Sequence, residues 1–446
     1  MTFSLVYGDV KLVADAGFGK VAHIPHILDS DHVYHRLGSK YLNERGIGHW
    51  NPENRFTPCT APTDRSIKDY GDWLINFLEW AETRKIKLHQ CEYQTHLIDR
   101  YQAEMLSGKW SRDGKALSGT TVNLRVQEAC NFLKWMADKE LRTAFDVPYT
   151  VGRAQQETPL RKRRHASKQR RGKAQPKKKL LRIPTDDEIA KFLASIYVGC
   201  DEVYGLMCET VLVCALRREE IHCWRVDTLD PNPVNWVIND KTAPPPQQRV
   251  QVTIKYGAKG GDFGLDNGDK VGPERNVWIP LGHAYRLHNY YMKGRNNALR
   301  KSINKKRSVD EKKQSIKSNV HLFLEEKTGL RVSYSQFYHA WKSGDLPYKE
   351  WTPHFARDWW ACSVLWKAMQ EYKVLLNLPS QVSSVLLTMH AITVIQIQIS
   401  PALGHASEET TMTYLHWISD MLGFNIIINY ELENEDAYEK LITVGK

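Results

Sequence analysis

The chain has 446 residues, enough for two or three domains, and 42% of them are hydrophobic, which is ample for sizeable cores. Its formal net charge of +11 is unevenly distributed. Residues 161–182 contain 12 basic residues and no acidic one, and residues 293–317 contain 10 basic and 2 acidic residues, so the remainder is mildly acidic. Positive charge concentrated in this way indicates a polyanionic partner, with nucleic acid favoured over a membrane surface.

Several classes of protein are excluded by the same inspection. No apolar stretch reaches the length of about 18 residues that a membrane span requires, and the first residues lack the layout of a signal peptide. No two of the eight cysteines form a C-x-x-C pair. They are therefore expected to be small core residues of a reduced cytoplasmic protein rather than zinc ligands, and no metal site is predicted.

The N-terminal part of the chain is predicted to be mainly helical. Residues 1–60 mix Gly, Pro and His with short apolar runs and form an accessory segment. Within residues 61–150, apolar residues recur three and four apart, which predicts helices over 66–86, 93–106 and 120–141. These three helices are expected to form one all-helical domain.

Residues 151–182 are predicted to be a basic interdomain linker, since the run from 161 onward has almost no apolar residues with which to bury itself. The alternative is a merely solubilising or nuclear-import-like stretch. Its position between two folded regions favours a strap along DNA phosphates. The side chains predicted to make these contacts are those of Arg161, Lys162, Arg163, Arg164, Lys177, Lys178 and Lys179.

From residue 183 to residue 446 the pattern predicts a second domain of mixed α and β structure. It opens with the capping box Thr185-x-x-Glu188, and an apolar helix follows over Val203–Leu216. Three strands are predicted in the segments NWVIND, QRVQVTIKY and NVWIPL, with a Gly- and Asp-rich stretch between the last two. Beyond residue 330 the pattern is mainly helical.

Three local motifs in this second domain carry polar residues suited to chemistry on an anion. The segment ALRREEIHCW (215–224) places Arg217 after an apolar helix, and TPHFARDWW (352–360) places His354 and Arg357 three apart, on one face of a helix. The third motif, LGHASEETTMTYLHW (403–417), contains His405 and Tyr414. Taken singly, each has an ordinary structural explanation, such as an arginine at a helix C-terminus or a packed tyrosine.

The order of the three motifs resembles that of the tyrosine recombinases, the phage integrase family. The most specific match is Leu403-Gly404-His405 followed by Thr411-Met412-Thr413-Tyr414. The resemblance covers residues 183–420 and, more weakly, the helical segment 61–145. It implies a multidomain protein in which an all-helical core-binding (SAM-like) domain precedes a mainly helical α+β catalytic domain with a small antiparallel sheet.

The resemblance also implies a set of catalytic residues. The nucleophile is a tyrosine, an acidic residue supports the first arginine, and four further side chains bind the phosphate or move protons: Tyr414, Glu220, Arg217, His354, Arg357 and His405. The family uses in addition a lysine on the β-hairpin. Here Lys259 is the first choice and Lys255 the second, because the hairpin is enlarged.

Elementary chemistry is consistent with these roles. A phenol can attack phosphorus and later act as a leaving group, and two guanidiniums offer permanently charged planar forks to the oxygens of a phosphorane. Histidine can shuttle a proton, and a lysine of lowered pKa can protonate the departing 5′ oxygen. Since the protein supplies the cations, the mechanism is expected to need neither a metal ion nor ATP, and no cofactor is predicted.

The sequence departs from the family pattern in several places. Ala215 and Glu219 stand where glycines are usual, which is interpreted as a tolerated packing change. Arg357 and His405 are 48 residues apart, about twice the expected spacing. The apolar segment 374–400 is interpreted as the insertion, and it is either an extra core helix or a subunit interface. The segment 293–317 is a second candidate insertion, either a DNA contact or a disordered loop.

The sequence therefore predicts an enzyme of DNA strand exchange, an integrase or transposase of a mobile element that acts through a covalent 3′-phosphotyrosine. The alternatives are a type IB topoisomerase-like nicking and religating enzyme and a catalytically silent DNA-binding accessory protein. The expected partners are double-stranded DNA, accessory recombination proteins and three further copies of the chain in a tetramer on DNA. No membrane partner is expected, and the location would be the cytoplasm, in association with the nucleoid if the protein is bacterial. Residues 421–446 are predicted either to pack onto a neighbouring subunit or to pack within their own catalytic domain.

Overall fold

The structure is a computed structural model, and it describes residues 3–53, 61–151, 168–175, 181–258, 262–266, 269–375, 380–404, 413–418 and 420–421. The chain divides into two compact units, Met1–Lys179 (unit 1) and Leu180–Lys446 (unit 2). Among the described helices none is long and apolar enough to cross a membrane. The predicted fold class, a multidomain chain with a small antiparallel sheet in a mainly helical second part, is confirmed.

Unit 1 is mainly helical with two short antiparallel strand pairs. Its strands are β1 (Ser4–Val6) paired with β2 (His26–Leu28), and β3 (Tyr149–Val151) paired with β4 (Lys168–Arg170). A π-helical segment, Tyr93–Gln102, leads directly into one of the helices. The α-helices are α1 (Val10–Val13), α2 (Arg36–Gly46), α3 (Asp64–Thr83), α4 (Ala103–Ser107) and α5 (Gly119–Asp138).

One hydrophobic core joins the N-terminal residues to the helices of unit 1. Helices α3 and α5 begin at the side-chain caps Thr63 and Ser118 and bury one apolar face each. The first 50 residues, predicted as an accessory segment, contribute Tyr41 and Trp50 to the same cluster of buried residues. These residues therefore belong to the helical unit, because their large aromatic side chains remove apolar area from water only by joining its core.

Part of the predicted linker is folded, which corrects the expectation of a wholly solvated strap. Strand β4 lies inside the basic run, and Arg170 is 3% exposed. Its guanidinium donates to the Tyr93 hydroxyl at 2.8 Å and to Asn123 Oδ1 at 3.3 Å, and these hydrogen bonds offset its desolvation. The seven linker residues predicted to contact DNA lie outside the described residues.

Unit 2 combines one three-stranded sheet with many helices. The strands are β5 (Arg249–Tyr256), β6 (Asp262–Asp266) and β7 (Asp269–Pro280). The capping box at Thr185 is present as predicted. The helices are α6 (Asp186–Gly199), α7 (Glu202–Cys214), α8 (Arg218–His222), α9 (Leu281–Tyr290), α10 (Asn296–Asn304), α11 (Val309–Ser318), α12 (Tyr334–Ser343), α13 (Pro353–Leu375), α14 (Ser380–Val394) and α15 (Ser400–Leu403).

The sheet has the order β5-β7-β6 and is antiparallel throughout. Val250, Val252 and Ile254 alternate with half-buried residues along β5 and enter the core. The predicted strand at 235–240 is wrong, since Pro233–Asn235 form a 3₁₀ turn and the segment contributes only an isolated bridge. Pro233 lacks an N–H group, and the turn is capped by Asn232, so the chain bends where the apolar pattern predicted extension.

Both candidate insertions contain helices. The basic segment 293–317 includes the helices α10 and α11, so it is not a disordered loop. In the apolar segment 374–400, helix α14 is followed by a π-helical turn, Ile395–Ile399. The buried side chains Ala391, Val394, Ile395 and Ile399 agree with the expected extra core helix.

Candidate active site

The first motif places Arg217 at a sharp turn between two helices. Helix α7 ends at Cys214, and the next residue, Ala215, has φ 51° in the left-handed region. Arg217 is the residue that precedes α8. Glycine would suit position 215 because of this backbone conformation, and not because of packing as predicted. An alanine there costs about 1 kcal/mol of stability relative to glycine. Across one turn of helix, Arg217 Nη1 donates to Glu220 Oε1 at 2.9 Å.

Arg357 enters the same site from helix α13 and is 3% exposed. Its Nη1 donates to the carbonyl of Ala215, and its Nη2 donates to the carbonyl of Leu403 at 2.7 Å. Burial, followed by the neighbouring charge of Arg217, lowers the pKa of Arg357 to about 10. The guanidinium is still charged at neutral pH, so this site carries a desolvated and permanent positive charge.

A third guanidinium, that of Arg275 on β7, lies in the same site, and Arg275 was not among the predicted site residues. Its Nη1 and Nη2 donate to the two carboxylate oxygens of Glu220, each at 2.6 Å. The signal for it lay in the strand alternation. Arg275 has the same parity as the buried residues Val277 and Ile279, so it is a charged residue on the inner face of the sheet.

We call Arg217, Arg275, Arg357 and Glu220 the arginine cluster. Its three arginines donate hydrogen bonds to three consecutive carbonyl groups. Arg275 Nε donates to the carbonyl of residue 402 at 2.8 Å, Arg357 to that of residue 403, and Arg217 Nη2 to that of residue 404 at 2.9 Å. Gly404 has φ +58°, and a Cβ there would lie 3.1 Å from Arg275 Cδ. The glycine of the third motif thus allows the chain to approach the cluster closely.

Glu220 is the counter-charge at the centre of the arginine cluster and is 1% exposed. Burial acts to raise its pKa, but the hydrogen bonds and charge of Arg275 prevail, and the pKa of Glu220 is lowered. Arg357 Nη1 is also 3.9 Å from its Oε2. One carboxylate therefore faces three guanidiniums, and the excess of positive charge is suited to binding an anion such as a phosphodiester.

Tyr414 lies in a helical segment, residues 413–418, and is 2% exposed. Its hydroxyl donates to Asp358 Oδ1 at 2.8 Å. Burial, followed by the charge of Asp358 and this hydrogen bond, raises the pKa of Tyr414, while the nearby Arg357 acts in the opposite direction. Asp358 follows Arg357 directly in the chain, so α13 carries both a phosphate-binding candidate and the partner of the phenol.

The remaining predicted site residues are less fully described. His354 is exposed on α13, one turn before Arg357. Lys255 is half-buried on β5, with its ammonium 5.1 Å from the centroid of the Tyr256 ring. Lys259 and His405 lie outside the described residues. Within the described part of the chain, no group of three or more His, Cys, Asp or Glu side chains is arranged to hold a metal ion.

No protein-family model matches the chain, and no curated protein matches it. Among solved structures, it is similar to the XerH site-specific recombinase bound to a palindromic difH substrate, with 16% identity, a TM-score of 0.48, and coverage of 81% of this chain and 79% of that one. It is also similar to the Tn1549 transposon integrase in complex with transposon right end DNA, with 12% identity, a TM-score of 0.46, and coverage of 85% and 93%. These proteins are of the class that the motif order resembles.

Proposed function

We propose that the chain is a tyrosine recombinase that exchanges DNA strands, with Tyr414 as the nucleophile of a covalent 3′-phosphotyrosine intermediate. The observation that carries the proposal is the convergence of the three motifs. Arg217, Arg357 and the carbonyls of residues 402–404 meet around Glu220, although up to 187 residues separate them in the chain. A merely DNA-binding surface does not require buried guanidiniums beside a buried phenol.

The arginine cluster is suited to stabilising the transition state of phosphoryl transfer. In the free protein its guanidiniums donate to neutral carbonyl oxygens, which are weaker acceptors than the charged oxygens of a phosphodiester. A phosphate that replaced those carbonyls would gain charge-assisted hydrogen bonds from Arg217 and Arg357. These bonds strengthen further as negative charge accumulates on the phosphorane oxygens.

Lys259, His354 and His405 are proposed to move protons at this phosphate, with Lys259 protonating the departing 5′ oxygen. One contact supports the choice of Lys259. A Cβ on Gly257 would lie 2.6 Å from the carbonyl oxygen of Glu219, so the start of the hairpin turn packs directly against α8. Lys259 follows two residues after this contact in the sequence. Lys255 remains the alternative.

The partner is proposed to be double-stranded DNA, and exchange between two sites requires four active centres, hence a tetramer on DNA. Unit 1 and the basic linker would add contacts to the duplex, and accessory recombination proteins would set directionality. Since the protein supplies the positive charge, the proposed reaction uses neither a metal ion nor ATP. Residues 421–446, the candidate for exchange between subunits, lie outside the described residues.

The test is covalent trapping on a nicked suicide substrate that carries the recognition site, taken from the DNA that flanks the gene. Tyr414→Phe should bind this DNA as the wild type does, because it loses one hydroxyl group, but it should form no covalent adduct on a denaturing gel. Tyr430→Phe is the matched control and should form the adduct normally. An adduct that persists in Tyr414→Phe and disappears in Tyr430→Phe would assign the nucleophile to the C-terminal segment.

A further inference from the structure

The contact between Tyr414 and Asp358 is not explained by the roles assigned so far. The phenol hydroxyl donates to the carboxylate across 56 residues of sequence, at 2.8 Å, and the tyrosine is 2% exposed. The other carboxylate of α13, that of Glu371, is exposed, whereas Asp358 is half-buried and contacts the phenol. The proton that must leave Tyr414 in a nucleophilic attack therefore already lies on a hydrogen bond to a base.

The environment of the phenol makes a base necessary. A tyrosine in water has a pKa of about 10, and burial together with the charge of Asp358 raises the pKa of Tyr414 further. A preformed phenolate is therefore scarce at neutral pH, and solvent has little access to a side chain that is 2% exposed. A general base must lie about 2.6–3.2 Å from the proton donor, and Asp358 meets that requirement.

We propose that Asp358 is a catalytic residue that accepts the Tyr414 proton during DNA cleavage. The Oη–H proton passes to Asp358 Oδ1, and the freed electron pair of Oη forms the bond to phosphorus. The bond between phosphorus and the 5′ oxygen breaks, and that oxygen takes its proton from a separate acid. In religation the order reverses, and protonated Asp358 returns the proton to the leaving phenol. This inference rests on the proposed function.

Among the described residues, three further titratable groups interact with Tyr414 or Asp358. Arg357 and Cys362 lie on α13 with Asp358, and Tyr348 precedes that helix and is affected by the charge of Asp358. Burial raises the pKa of Cys362, so this thiol is neutral at physiological pH. Arg357 is charged throughout the working range. Of these four groups, Asp358 is the one that accepts a hydrogen bond from the phenol and can act as a base.

The experiment compares single-turnover cleavage of the suicide substrate at saturating DNA. Asp358→Asn keeps a hydrogen-bond acceptor of the same shape but removes the basicity, and we expect cleavage to slow by about 100-fold or more with DNA binding unchanged. Its rate should rise with pH, because hydroxide replaces the lost base. Glu371→Gln, an exposed carboxylate on the same helix, is the matched control and should cleave normally. Asp358→Glu should recover part of the rate.

A 5′-bridging phosphorothiolate substrate separates this role from that of the acid, since its sulfur departs without a proton. It should rescue Lys259→Ala and leave the defect of Asp358→Asn in place. Rescue of Asp358→Asn would overturn the proposal, and so would cleavage as fast as or faster than wild type, which would mean that Asp358 restrains the tyrosine instead. If Asp358→Asn fails to fold, as judged by its thermal melt, Asp358→Ser, which also lacks a basic group, supplies the same comparison. An adduct in Tyr414→Phe would reject Tyr414 as the nucleophile, and the absence of any adduct with the wild-type protein would reject the proposed function itself.

Discussion

Unit 2 contains two clusters of positively charged side chains that differ in their exposure to solvent. The arginine cluster is buried, and its guanidiniums are bound to Glu220 and to the carbonyls of residues 402–404. The basic helix pair, defined as α10, α11 and the residues that connect them, instead exposes most of its cations to solvent. Those exposed side chains are Arg300, Lys301, Lys305, Lys306, Arg307, Lys313 and Lys317.

The difference shows that burial, rather than charge alone, decides what a cation can do. A guanidinium fixed by hydrogen bonds in a low-dielectric site is already oriented for a transition state and is weakly screened. A lysine on an exposed helix is hydrated and mobile in its rotamers, so it contributes to the affinity for a polyanion in a salt-dependent way. The arginine cluster is therefore expected to determine rate and stability, and the basic helix pair to determine binding.

The largest effect is expected from removing the counter-charge of the arginine cluster. Glu220→Gln leaves buried guanidiniums without their carboxylate, which should lower the free energy of unfolding by about 3–5 kcal/mol in a urea titration at pH 7. Glu350→Gln, at an exposed position, is the control and should change it by less than about 0.5 kcal/mol. A Glu220→Gln protein as stable as wild type would mean that the cluster does not need its carboxylate.

The same substitution has a pH dependence whose sign follows from the lowered pKa of Glu220. A carboxylate with a lowered pKa in the folded state contributes its full stability above its ordinary pKa of about 4.3. It loses that contribution as the pH falls through the lower, folded-state pKa. The stability difference between wild type and Glu220→Gln should therefore be constant above about pH 5 and shrink in strong acid.

The next effect is on the chemical step. Arg217→Ala and Arg357→Ala should each reduce single-turnover cleavage by about 100- to 1,000-fold, because a preorganised donor to a developing anion contributes roughly 3–4 kcal/mol. DNA binding should weaken far less. Arg300→Ala, on the exposed helix α10, is the matched control and should cleave at the wild-type rate once DNA is saturating. Normal cleavage by both cluster variants would reduce these arginines to a structural role.

A smaller effect on cleavage is expected from substituting Arg275. Its guanidinium contacts Glu220 and the carbonyl of residue 402, whereas Arg357 is the arginine near Tyr414. Arg275→Lys retains the charge but loses the bidentate fork, so the free energy of unfolding should fall by about 1–3 kcal/mol. Cleavage should fall less than in Arg357→Ala. A loss of cleavage equal to that of Arg357→Ala, with stability unchanged, would instead make Arg275 a third phosphate ligand.

The smallest effect on folding is expected from the basic helix pair. Replacing Lys305, Lys306 and Lys313 by Gln should leave the thermal melt and the cleavage rate at saturating DNA unchanged. The slope of log affinity against log salt should fall by about 0.9 for each phosphate contact that is lost. An unchanged slope would identify the pair as a solvated face. The same measurement with Gln in place of Lys177, Lys178 and Lys179 tests the linker.

The sequence alone determined the local elements and the identity of most residues of the proposed site. Apolar periodicity and caps predicted α3, α5 and α6, since both signals depend on residues within a few positions of one another. The resemblance of the motifs to those of the tyrosine recombinases pointed to Arg217, Glu220 and Arg357, which the structure brings together. The roles carried over to these residues and to Tyr414 remain predictions.

Only the tertiary structure decided which distant residues meet. The pairing of Arg275 with Glu220 depends on the register of β7 against β5, and the contact of Tyr414 with Asp358 depends on how two segments 56 residues apart pack. The burial of Tyr41 and Trp50 in the core of unit 1, and of Arg170 beside Tyr93, likewise depends on residues distant in sequence. Local spacing encodes the face of a helix or strand, but the partner of that face is selected by burial and hydrogen bonding across the whole fold.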